Sequence, residues 1–167
     1  NVQQLKGKIE DDLGVMYWIH NMNEEALPLH EDALTIFRKT NDSVSLTQAL
    51  RNCGRASASL QMLPEAQNYY EEALQIAQAV EKDSLINDIR IELARDCYLE
   101  TEDYDKTIAY AEQVLENDAE TDQCHLILGV AYFYQGADSL ALLHLQESVK
   151  SDIAGIRMSA YQTLRYL

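Results

Sequence analysis

A gapless internal repeat limits the fold of this chain more than any other feature. The stretch DDLGVMYWIHNMNEEALPLHEDAL, from Asp11, aligns with RNCGRASASLQMLPEAQNYYEEAL, from Arg51, at one constant offset throughout. Gly14 meets Gly54, Ala26 meets Ala66, and Glu31-Asp32-Ala33-Leu34 meets Glu71-Glu72-Ala73-Leu74. The most apolar stretch, LILGVAYFYQGADSLALLHLQESV from Leu126, is a further copy, with Leu128-Gly129, Tyr132 and Ala141 at the matching places. Between them lies a worn copy, IELARDCYLETEDYDKTIAYAEQVL, from Ile91. Its Ala94 stands as far after Gly54 as Gly54 stands after Gly14, but aligning Tyr104 with the start of the other second helices shifts the frame by one. Either Ala94 or Arg95 then takes the small-residue position. Units of this length cannot bury their apolar faces alone, so the copies must stack.

The repeated residues make sense on helices. Leu128, Tyr132 and Gln135 form one stripe at spacings of three and four, Gly136-Ala137-Asp138 breaks it, and Ala141, Leu145 and Ser148 form the next. Six glycines and two prolines are too few to punctuate an all-β chain of 167 residues. Pro64 suits a first helical turn, whereas Pro28 is expected to bend its helix slightly. Asn23, Asp103 and Asp105 are candidate helix starts. Gly or Ala in the first helix, and Ala26, Ala66 and Ala141 in the second, are expected to let the two backbones approach. Tyr17, Tyr70 and Leu145 would fill the space between hairpins. The fold class is all-α.

The order Leu-Gly-x-x-Tyr, then Ala-x-x-x-aromatic-x-x-Ala, resembles the tetratricopeptide repeat family. Leu13-Gly14-Val15-Met16-Tyr17 and Leu128-Gly129-Val130-Ala131-Tyr132 carry the first half, and Ala66 to Ala73 the second. Cys53 and Ser57 depart from the pattern, as do His30 and Ala111 at a usual aromatic position, and the family's tryptophan and late proline are missing. The resemblance implies one domain over 1–167: a right-handed superhelical array with repeats at 5–43, 44–83, 84–118 and 119–152, and a partial fifth at 153–167. Spacings of 40 exceed the family's common 34, and extra length near Asn41-Asp42-Ser43 and Lys82-Asp83-Ser84 would absorb the difference.

Composition excludes several function classes. A formal charge of −15, with no cluster of Lys and Arg, argues against nucleic acid and against an anionic membrane surface. No apolar run reaches the length of a membrane span. Cys53, Cys97 and Cys124 have neither disulfide nor zinc spacing and read as core thiols. Cys124-His125 with His144 is the one Cys/His grouping, and adjacent helical residues diverge too far to share a metal readily. Gly129 and Gly136 do not make a phosphate loop. No metal, cofactor or catalytic residue is therefore expected. The absent initial Met and the helix unfinished at Leu164 to Leu167 read as a piece of a longer protein, one whose apolar end could self-associate. The expected location is a soluble segment, cytoplasmic or bacterial extracytoplasmic.

The resemblance also implies a use: the first helices line a concave groove that receives a protein or peptide. The groove candidates are Val15, Trp18, Ile19, Arg51, Arg55, Tyr98, Leu126, Val130, Phe133 and Tyr134, with Leu99 the alternative to Tyr98. Trp18, Phe133 and Tyr134 put large aromatics where packing does not demand them. Arg51 and Arg55, four apart, could clamp a carboxylate or pair with acids such as Asp11. Chaperone-binding members of the family use a lysine and an asparagine where this chain has Asp11 and Val15, so a chaperone tail is not the expected ligand. The reading is an interaction scaffold. The alternative is a sensory segment of a larger bacterial signalling protein or transcriptional regulator.

Overall fold

The computed structural model describes residues 2–40, 42–117 and 122–167. Asn41 and the repeat boundary expected at 118–119 lie outside them. The described residues form helices and no strand: α1 (Val2–Ile19), α2 (Asn23–Thr40), α3 (Ser43–Ser59), α4 (Leu63–Ala79), α5 (Asp83–Glu92), a π turn (Leu93–Tyr98), α6 (Tyr104–Leu115), α7 (Asp122–Tyr134), α8 (Asp138–Ser148) and α9 (Ala154–Leu164). None of these helices is long and apolar enough to cross a membrane. Two compact units are formed, Asn1–Glu92 and Leu93–Leu167.

In the first unit α1 packs on α2, α2 on α3, α3 on α4 and α4 on α5. The repeated glycines explain the pairing within each hairpin. A Cβ on Gly14 would lie 2.6 Å from the His30 ring, and one on Gly54 would lie 2.6 Å from the Tyr70 ring. In the second unit Gly129 stands in the same relation to Leu145, again at 2.6 Å. Each glycine is thus a socket for a large side chain on the second helix of its own hairpin. Tyr70 and Leu145, expected between hairpins, fill their own. Ala26, Ala66 and Ala141 are fully buried beside them. Leu13, in contrast, is 43% exposed although it occupies the family's leucine position.

Each hairpin turns through one left-handed residue: Asn21, Gln61, Glu102 and Gly136 have φ of 63°, 61°, 61° and 75°. The amide of the next residue reaches back five positions, Met22 to Tyr17, Met62 to Ser57, Asp103 to Tyr98 and Ala137 to Tyr132. This double closure satisfies the last carbonyls of the first helix. Asp42 and Asp103 cap α3 and α6 by accepting from the amides of Ser45 and Lys106, each contribution being worth about 1 kcal/mol.

Turn positions locate the missing frame. The step from Asn21 to Gln61 equals the step from Gly14 to Gly54. Glu102 comes one residue later than that step would place it, and Gly136 comes well before the next. The extra residue in the third repeat sits in the π turn, where the Leu99 amide donates to the Ala94 carbonyl at 2.9 Å. A turn closed five residues back holds one residue more than an α turn. Both frames therefore apply: Ala94, fully buried, is the small residue before the insertion, and Tyr98 takes the place of Tyr17 and Ser57 after it. Spacing follows helix length as well. Helices α1 to α4 have 17 or 18 residues, whereas α6, α7 and α8 have 12, 13 and 11.

Candidate peptide-binding groove

In the first unit the groove candidates are tied into one network. The Arg55 guanidinium lies 3.7 Å above the Trp18 ring, and Trp18 Nε1 donates a long 3.4 Å hydrogen bond to Ser59 Oγ. Arg51 grips Glu92 with two bonds, of 2.8 and 2.9 Å, and lies 3.1 Å from Asp88. Arg55 Nε stands 3.7 Å from the same Glu92. Burial works against the charge of Arg51, but its bonds and Coulomb attraction to Glu92 and Asp88 outweigh it, and its pKa lies above the ordinary value. These arginines are thus not a ready carboxylate clamp, because Glu92, only 5% exposed, already occupies them. Ile19 is 61% exposed and Val15 half-buried on α1.

Asp11 does not face a groove. It is 8% exposed and accepts hydrogen bonds from His30 Nδ1 at 2.6 Å and from Asn52 Nδ2 at 3.1 Å. The network links the first two hairpins, and none of it is available to a ligand.

The second unit brings its candidates together. Leu126 and Val130 on α7 join Leu99, Arg95, Ile153 and Ile156 around a cavity of about 510 Å³, within the size range of ligand sites, roughly 300–1,000 Å³. Val130 is also part of a second cavity, of about 120 Å³, bounded by Phe133, Tyr134 and Tyr166. Tyr134 is 61% exposed and stacks on Tyr104 with ring centres 5.5 Å apart. Gln135 Nε2 donates to Asp105 at 2.7 Å beside this pair. Desolvation, then the charges of Glu102 and Tyr134, raise the Tyr104 pKa.

Tyr98 leaves the candidate set. It is 4% exposed, stacks on Tyr110 at 5.5 Å and carries Lys106 Nζ 4.9 Å from its ring centre. The inserted residue of the π turn rotates it toward α6 and leaves Leu99 at the cavity. Ile153, Ile156 and Arg95 escaped sequence reasoning. The first two belong to a fifth copy too short to align, and the third required the frame of the third repeat.

Other chemistry is sparse. His125 and His144 meet with Nδ1 atoms 3.0 Å apart, one donating to the other. Burial, then the charge of His125, lowers the His144 pKa. Among the described residues no three His, Cys, Asp or Glu side chains gather as metal donors. Cys53, Cys97 and Cys124 are free and buried, and burial, with Glu31 and Asp11 adding to it, pushes the Cys53 thiol far above its ordinary pKa. A thiol held protonated is a poor nucleophile.

Comparison with known proteins agrees with this architecture. Residues 8–79 match the tetratricopeptide repeat family. The apo form of RapI superposes on 98% of the chain with a TM-score of 0.82 at 14% identity. BtubC from P. vanneervenii superposes on 95% with a TM-score of 0.80 at 19% identity. The chain spans 47% of RapI and 66% of BtubC. No curated protein sequence matched it. Residues 8–79 are thus similar to tetratricopeptide repeats, and the described residues after them also form helices.

Proposed function

We propose that this chain is a protein-binding scaffold and that the second unit's groove holds a segment of its partner. One observation carries the reading: Leu99, Leu126, Val130, Ile153 and Ile156 converge on a cavity of about 510 Å³. The fold does not require this. The core of the hairpin is completed by the fully buried Leu128, Ala131, Ala141 and Leu145, and concave apolar surfaces with a few polar groups are where ligands bind. Binding rather than catalysis is the proposed activity, since the site offers aliphatic surface and no activated nucleophile.

Substituting Leu126→Glu and Val130→Glu places charge in the cavity and tests the reading. Both residues are half-buried, so the helices should persist by circular dichroism while a co-purifying or array-selected peptide is lost. Retained binding by a folded double variant removes the groove from the proposal.

A further inference from the structure

The aromatic cavity beside the aliphatic one opens to solvent. Tyr166 is 79% exposed and Tyr134 61%, and the positions that close the hairpins belong to Tyr132 and its equivalents. Phe133 meets Tyr134 edge-on with ring centres 5.3 Å apart. About 120 Å³ lies between these rings and Tyr166. At ~30 Å³ for each water in the liquid, that is space for about four non-hydrogen atoms, the number in a guanidinium group.

The electrostatics favour a cation there. Ring faces are electron-rich and attract Lys and Arg head groups. Residues 93–167 contain thirteen Asp and Glu against five Lys and Arg, a formal −8. Glu102 and Asp105 flank the Tyr104–Tyr134 stack. The chain already seats its own cations in this way, Arg55 over Trp18 at 3.7 Å and Lys106 over Tyr98 at 4.9 Å.

We infer that the slot formed by Phe133, Tyr134 and Tyr166 receives a Lys or Arg side chain of a basic peptide segment, while a neighbouring aliphatic side chain of the same segment fills the Leu126–Val130 cavity. The shared wall, Val130, sets the two pockets side by side. The inference rests on the groove reading above and specifies what the groove selects.

The test is a positional-scanning array of short synthetic peptides, followed by fluorescence anisotropy with the best binder and its citrulline analogue. Citrulline keeps the shape of arginine and removes the charge. The expected result is selection of Lys or Arg adjacent to an aliphatic residue, with the arginine peptide at least ~5-fold tighter than the citrulline one. Tyr134→Leu and Tyr166→Leu should each erase that arginine-to-citrulline ratio, whereas Leu126→Glu should weaken both peptides and keep the ratio. Equal affinity for arginine and citrulline, or discrimination that survives both tyrosine variants, overturns the cation slot but leaves the groove standing. An array in which no peptide binds overturns both.

Discussion

Tyr70 fills the space that Gly54 leaves open: a Cβ at residue 54 would lie 2.6 Å from the tyrosine's Cε1. Both residues are buried, so Gly54→Ala should overpack the hairpin and destabilise by roughly 1–3 kcal/mol, and Ala66→Leu, at a fully buried position, by a similar amount. Gly155 is the control. A Cβ there meets nothing within 4 Å and its φ is not left-handed. Gly155→Ala should therefore be neutral or stabilising, by up to about 1 kcal/mol. Urea denaturation of the three variants measures these differences.

Glu92 depends on Arg51. Removing the guanidinium by Arg51→Met takes two hydrogen bonds from a carboxylate that is 5% exposed and leaves Arg55 beside it at 3.7 Å. The expected loss is about 2–4 kcal/mol, below the full cost of an unpaired buried charge because Arg55 remains. Adding Glu92→Gln should recover a large part of that loss. Similar losses for the single and double variants would mean that the arginine contributes by packing alone.

Stability should fall in mild acid through His144. Its pKa is depressed from 6.5 by burial and by His125, with Glu112 opposing the shift and Tyr132 stacked on the ring at 5.7 Å. The unfolded chain then takes up the proton at higher pH than the folded one. This contribution is intact above about pH 6.5 and is lost as pH falls below it, since stability rises with pH wherever the unfolded state binds more protons. Thermal melts between neutral pH and about pH 5.5 should show the decline, and His144→Asn should flatten it. An unchanged slope in that variant assigns the pH dependence to other groups.

Much of this fold was legible because its determinants recur. Gly14, Gly54 and Gly129 mark sockets, and the sequence around them repeats at an offset a reader can find. The third frame was not, because the extra residue in the π turn leaves no local signature: Leu93 to Tyr98 reads as ordinary helix. Part of the lining of the two cavities was legible on α7, where Leu126, Val130, Phe133 and Tyr134 are apolar residues beyond the hairpin core. The acid that pairs with the arginines was not legible, for a different reason. Arg51 and Arg55 lie on α3 and Glu92 at the end of α5, about one repeat further along the chain, and no rule of helical spacing connects residues that far apart.

The proposed binding of a partner segment in the aliphatic cavity of the second unit is tested most directly as an affinity. An array-selected peptide is titrated against the wild-type chain and against Leu126→Glu/Val130→Glu, both confirmed as folded. A loss of at least about tenfold is expected, since a charge forced into an apolar pocket costs more than the roughly 1.4 kcal/mol that tenfold represents. Equal affinity for the two proteins would contradict binding in this cavity.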